Sequence, residues 1–133
     1  GKFCLKNAEM EAEAKRILDE LGVGINPRQT VGDLPVSKQQ MIEIAKALSI
    51  HAKILIMDEP TRGIDVGAKH EIYEIMSDLA KQGKAIIMIS SEMSELLGMA
   101  DRICVMCNGK LTGEIDQPEE MTQARVMGFA TKF

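Results

Sequence analysis

Two adjacent carboxylates, Asp58 and Glu59, follow the apolar run Ile54-Leu55-Ile56-Met57 and precede Pro60. A continuous β-branched and apolar run predicts a strand buried on both faces. Open α/β sheets place ligands at the carboxyl ends of such strands. Paired acids delivered there have the chemistry for a site beside a Mg²⁺ ion and a nucleotide phosphate. Taken alone, the pair has a second reading, a strand end followed by an acidic turn. The surrounding residues must decide between the two.

The elements that would position this pair can be read from periodicity. Residues 8–21 predict a helix with Met10, Ala14, Ile17, Leu18 and Leu21 on one stripe and Gly22 as its stop. Ser37-Lys38-Gln39-Gln40 fits the S-x-x-Q pattern of a capping box. The helix it would open buries Met41, Ile44, Ala45 and Leu48. After the strand, residues 67–81 predict an amphipathic helix with Ala68, Ile72, Ile75, Met76 and Leu79 inward, closed by Gly83. The run 85–90 predicts a second buried strand, and a short helix is expected at about 92–98. Residues 102–115 read as a hairpin turning at Asn108-Gly109. The tail from about Pro118 to Phe129 reads as helical. Alternating helices and apolar strands predict an α/β fold with a parallel sheet and right-handed crossovers. The first 36 residues hold helix but no strand.

Composition narrows the classes. A chain of 133 residues, 45% of them hydrophobic, has enough apolar content for one modest domain and too much for disorder. The net charge of −4 and the scarcity of aromatics (Phe3, Tyr73, Phe129, Phe133, no Trp) argue against nucleic acid as a partner. No run reaches the roughly 20 apolar residues of a membrane span, and the first ten residues lack the apolar centre of a secretion signal. Cys4, Cys104 and Cys107 make an odd count that fits reduced thiols in a cytoplasm. Cys104 and Cys107, three apart on a strand, point to opposite faces, which disfavours a metal or redox pair. His51 and His70 lack ligand spacing, and the ten methionines fall mostly on predicted core faces.

The order of motifs carries a resemblance. Residues 54–60, ILIMDEP, look like a Walker B motif. Residues 34–48, LPVSKQQMIEIAKAL, stand where an ABC-type ATPase has its signature loop and the following helix. Arg62-Gly63-Ile64-Asp65 stands at the D-loop, residues 85–92 at the switch loop, and residues 101–114 at the next hairpin. Over nearly its whole length the chain resembles the ATP-binding subunits of bacterial monosaccharide importers of the ribose, xylose and galactose/methyl-galactoside type. The fold this implies is a partial P-loop NTPase cassette with parallel strands, crossover helices, and a C-terminal hairpin and helix. The resemblance implies ATP and Mg²⁺ as cofactors, Asp58 holding Mg²⁺ through water, and Glu59 orienting and deprotonating the attacking water. Ser37, Lys38 and Gln39 would face the nucleotide of a second cassette, and Asp65 would couple the two cassettes. Ser91 occupies the switch position, where the family often has His. The implied partners are membrane permease subunits and a sugar-binding protein, at the cytoplasmic side of the bacterial membrane.

The chain also departs from that pattern. Residues 1–60 resemble a first cassette and residues 61–133 a second, with Asp58-Glu59-Pro60-Thr61 common to both. A join near that tetrapeptide is therefore expected. No G-x-x-x-x-G-K-[ST] phosphate loop occurs: Gly1-Lys2, Gly83-Lys84 and Gly109-Lys110 all fail the spacing. The Q-loop glutamine is also missing. At the signature, Pro35 replaces the serine of L-S-G-G-Q and removes an N–H. Ser37 has a plain alternative as a helix cap, and so does Asp65. Two functions are expected on these grounds: an energy-coupling ATPase subunit of a sugar importer, or a non-catalytic remnant or interaction module that binds no nucleotide alone.

Overall fold

The computed structural model describes residues 7–132; Phe3, Cys4 and Phe133 lie outside that range. In chain order the elements are α1 (Asn7–Glu20), a 3₁₀ turn (Val31–Asp33), α2 (Val36–Ser49), β1 (Ile54–Asp58), α3 (Val66–Lys81) and β2 (Ala85–Ile89). There follow α4 (Met93–Met99), β3 (Ile103–Cys107), β4 (Lys110–Ile115), a second 3₁₀ turn (Pro118–Glu120) and α5 (Gln123–Ala130). The chain divides into two compact units between Ile89 and Ser90. Each unit has buried apolar residues of its own.

In the first unit β1 and β2 pair in parallel, from Ile54↔Ala85 to Asp58↔Ile89, with α3 as the connection. The core is built from Met41, Ile44 and Ala45 of α2, Leu55 and Met57 of β1, and Ile72, Ile75, Met76 and Leu79 of α3. These are the stripes the 3.6-residue period predicted. α1 adds Ile17 and Leu18, packed with Ala45, Ile42 and Leu48. Met10, expected on that stripe, is exposed, because it lies nearly two turns before the first buried contact. Gly22 (φ 68°) and Gly83 (φ 85°) end α1 and α3 in the left-handed conformation that a residue without Cβ adopts freely.

The expectation of strands buried on both faces fails. Leu55 and Met57 are buried, but Ile54 (60% exposed) and Ile56 (69%) alternate with them, and Ile87 (52%) and Ile89 (51%) lie beside them on β2. The apolar sequence equips both faces for burial, and the described helices cover only one.

In the second unit β3 and β4 form an antiparallel hairpin through Asn108 (φ 51°) and Gly109 (φ 75°), the two-residue turn expected from the sequence. Val105 pairs with Gly113 and Met106 with Leu111, so Thr112 is the extra residue of a bulge. Ile103, Val105, Ile115 and Val126 form the core, with Leu96, Leu97, Met121 and Phe129 packed against it. The Phe129 ring sits on the bare Cα of Gly113. Arg125 and Lys132 lie 5.0 and 4.4 Å from the centre of that ring. The tail divides into a 3₁₀ turn and α5 because the Thr122 hydroxyl accepts from the Arg125 N–H (3.3 Å) and starts the helix there. Among the described residues no helix is long and apolar enough to cross a membrane.

Candidate functional site

β1 ends at Asp58, which is exposed and lies on the same strand face as Ile54 and Ile56. The next residue turns the chain. Glu59 has φ 46°, in the left-handed region, yet its N–H still donates to Ile89 O (2.8 Å) and so extends the parallel ladder by one bond. For a residue with a Cβ that conformation costs about 1 kcal/mol or more. Its neighbours hold it there: Pro60 and Thr61 are buried, Arg62 N–H donates to Glu59 O (3.1 Å), and Ile64 N–H donates to Thr61 O (3.2 Å). The two carboxylates of the sequence motif thus have different settings. Asp58 continues the open row of the sheet, and Glu59, half-buried, stands on a tight turn.

Asp65 closes this turn by capping α3, its carboxylate accepting from the Ala68 N–H (3.0 Å). The helix-capping role read from the sequence is the one the geometry displays.

Ser37, Lys38 and Gln39 are not a loop, and Ser37 does not cap a helix. Pro35 occupies the cap position of α2 with no side-chain bond, and the three residues form the first turn of the helix. The 3₁₀ turn ends at Asp33 with Leu34 as its cap, and the helix begins at Val36, directly after Pro35, whose carbonyl accepts from the Lys38 and Gln39 N–H groups (2.9 and 3.1 Å). A proline supplies the needed φ and carries no N–H to satisfy. The Gln39 amide then reaches back to donate to Leu34 O (2.8 Å). Lys38 Nζ bonds Glu71 Oε2 on α3 (3.0 Å), which ties the first turn of α2 to the second turn of α3. The structure therefore ties Lys38 to α3, the helix that Asp65 caps after the Asp58-Glu59 turn.

Ser91 belongs to the second unit, where it is exposed. The groups beside it were missed by sequence reasoning. Ser90 donates its hydroxyl to the buried Glu95 carboxylate (2.7 Å) and accepts from the Glu92 N–H (3.0 Å). The available signal was an acid on the inward face of a short apolar helix. A buried carboxylate requires a partner, and Ser90 lies five residues away.

No group of three His, Cys, Asp or Glu side chains that could hold a metal occurs among the described residues. Mg²⁺ keeps most of its waters and is held by one or two carboxylates plus substrate phosphates. Asp58 fits the role of the single carboxylate. Cys104 is exposed and Cys107 half-buried, both free thiols.

Residues 2–62 match the ABC transporter family. The chain is 47% identical over 133 residues to the galactose/methyl galactoside import ATP-binding protein of Clostridium tetani, an alignment covering 99% of the chain and 26% of that protein. It is 52% identical over 101 residues to the xylose import ATP-binding protein of Moorella thermoacetica, covering 76% of the chain and 20% of that protein. Among solved structures, an ATP-binding cassette of an ABC transporter, MJ1267, matches with a TM-score of 0.80 at 26% identity over 97% of the chain and 53% of that domain. The ADP conformation of the same cassette matches equally well at 27% identity. The chain thus spans about a quarter of the length of the curated relatives it matches, and about half of a solved cassette.

Proposed function

We propose, for a chain that belongs to the ATP-binding cassettes of ABC transporters, that it is part of an energy-coupling subunit for monosaccharide import, of the galactose/methyl-galactoside kind. One observation carries the reading: an exposed aspartate ends a parallel strand in a chain 47% identical along nearly all its length to a sugar-import ATP-binding protein. Asp58 would hold Mg²⁺ through water, and the ion when bound neutralises charge on the phosphate oxygens. Glu59 would orient water and accept its proton from the turn that holds it. Lys38 and Gln39, on the first turn of α2, and Asp65 would face a second cassette, and Ser91 would occupy the switch position. The subunit would lie on the cytoplasmic side of the membrane against permease subunits that work with a sugar-binding protein.

The absence of a G-x-x-x-x-G-K-[ST] loop from the sequence favours a second reading for the chain on its own. Alone, it is a module that binds no nucleotide. Calorimetric titration of the purified chain with Mg²⁺ and ATP separates the readings. Tight binding with turnover by the isolated 133 residues would remove the second, and no binding even in a chain that carries a phosphate loop would remove the first.

The proposed join at residues 58–61 leaves a definite arrangement. α2 and β1 come from before it, α3 and β2 from after it, and they share one core with the Lys38–Glu71 pair across it. Sequencing the locus in independent isolates tests it: one continuous cassette with an upstream phosphate loop would show there is no join.

A further inference from the structure

The end of the second unit gathers two cations around one ring. Arg125, on α5, and Lys132, just past its end, both reach Phe129, at 5.0 and 4.4 Å from the ring centre. The two charges therefore stand no farther apart than those two distances together. The ring itself rests on Gly113 and packs on the core of the hairpin. A cation–π contact at an exposed site is worth only about 0.5–1 kcal/mol, so one ring does not neutralise two like charges. Glu120 approaches Arg125 at 3.5 Å, too long for a strong charged hydrogen bond, and among the described residues no acid pairs with Lys132.

Beside the ring lies a cleft of about 200 Å³, lined by Ala124, Arg125, Gly128, Phe129 and Lys132. Its lining has both cations and no acid, and the space next to Gly128 is open. The positive charge is local. Residues 90–133 hold seven acids and four bases, so attraction of anions is not a general property of this unit.

We infer that this cleft is a binding site for a phosphate group, carried by a soluble phosphate or by a lipid headgroup. A planar carboxylate spends both oxygens on the arginine fork and leaves none for Lys132. A tetrahedral phosphate can present one edge to the fork and a further oxygen to the lysine, which acts as a point charge. The site lies wholly within residues 124–132, so it stands or falls apart from the proposed ATPase reading.

The test is titration of the ¹⁵N-labelled chain with inorganic phosphate at constant ionic strength, followed by NMR. The Arg125 Nε and the amides of α5 are expected to shift along a saturable curve, and acetate at equal concentration to shift them far less. Arg125→Gln and Lys132→Gln, both at exposed positions, are each expected to weaken binding about tenfold. Lys110→Gln, on the hairpin outside the cleft, should leave it unchanged. Flotation with phosphatidylcholine vesicles, with and without phosphatidic acid, separates the sources. Co-migration that requires phosphatidic acid and is lost in the Arg125→Gln/Lys132→Gln chain assigns a lipid headgroup. Saturable phosphate binding without co-migration assigns a soluble phosphate. Binding of neither probe, shifts that persist in the double variant, an equal response to acetate, or equal weakening by Lys110→Gln would each overturn the inference.

Discussion

The two sheets among the described residues are each two strands wide, and they solve the problem of burial differently. The hairpin β3–β4 turns Ile103, Val105 and Ile115 onto α4 and α5. Its other face mixes Cys104 with Glu114, which pairs with Arg102 at 3.0 Å. One face is closed against helices, the other exposes Met106 and Leu111 beside Cys104 and Glu114, and the residues of its core all belong to the second unit. The parallel pair β1–β2 has apolar residues on both faces and a helical layer on one. The difference is between a structure complete in itself and one built to be covered. Antiparallel sheets tolerate a solvent face, and parallel ones are made for a three-layer setting.

Substitutions on the two faces of β1 should break this comparison most visibly. Met57→Ala on the covered face, and Ile72→Ala beneath it, are each expected to cost about 3 kcal/mol in denaturant unfolding of the first unit. Ile56→Ala, on the other face of the same strand, should stay within about 0.5 kcal/mol. Equal costs at positions 56 and 57 would mean that both faces are already buried.

The second unit offers a steric test. A Cβ at position 113 would overlap the Phe129 ring, so Gly113→Ala should cost about 2 kcal/mol. The penalty should shrink in a Phe129→Ala background. Strict additivity in that double-mutant cycle would show the ring does not rest on Gly113. A smaller effect is expected at the cap of α3. Asp65→Ala removes the acceptor for the Ala68 N–H and should cost about 1 kcal/mol, with Asp65→Ser retaining most of it. The smallest effect is in α1. The Arg16 guanidinium, bonded to Glu13 at 2.7 Å, holds that carboxyl below the ordinary glutamate range. A lowered folded-state pKa means the stabilisation is present above the ordinary range and is lost as pH falls through it. Glu13→Gln should flatten the acid limb of the stability profile slightly, measured by unfolding at a series of pH values.

Much of this was legible because it is local. The stripes of α2 and α3 follow the 3.6-residue period, and Asn108-Gly109 specifies its turn through two positive φ values. Asp65 was readable as a cap because a short acid before an apolar-periodic run has few other uses. Ser37 was misread for an equally local reason: the S-x-x-Q pattern was present, but Pro35 two residues earlier was the better entry to the helix. What escaped was tertiary. Lys38 and Glu71 are 33 residues apart, and nothing in either segment announces the other. The apolar run 54–57 stated correctly that both strand faces are fit for burial, but burial depends on what lies opposite. At the candidate site, the two acids and their strand were visible in the sequence. The left-handed turn at Glu59 was not, since it is imposed by the buried Pro60 and Thr61 and by the bond to Ile89.

The row of isoleucines beside Asp58 also bears on how long the chain survives in a cell. Exposed β-branched residues on an open parallel sheet are the surface through which chains aggregate, and chaperones and proteases continuously triage chains that show such surfaces. Steady-state abundance should therefore track the supply of whatever covers that row: low when the chain is made alone, and higher when a covering partner is made with it.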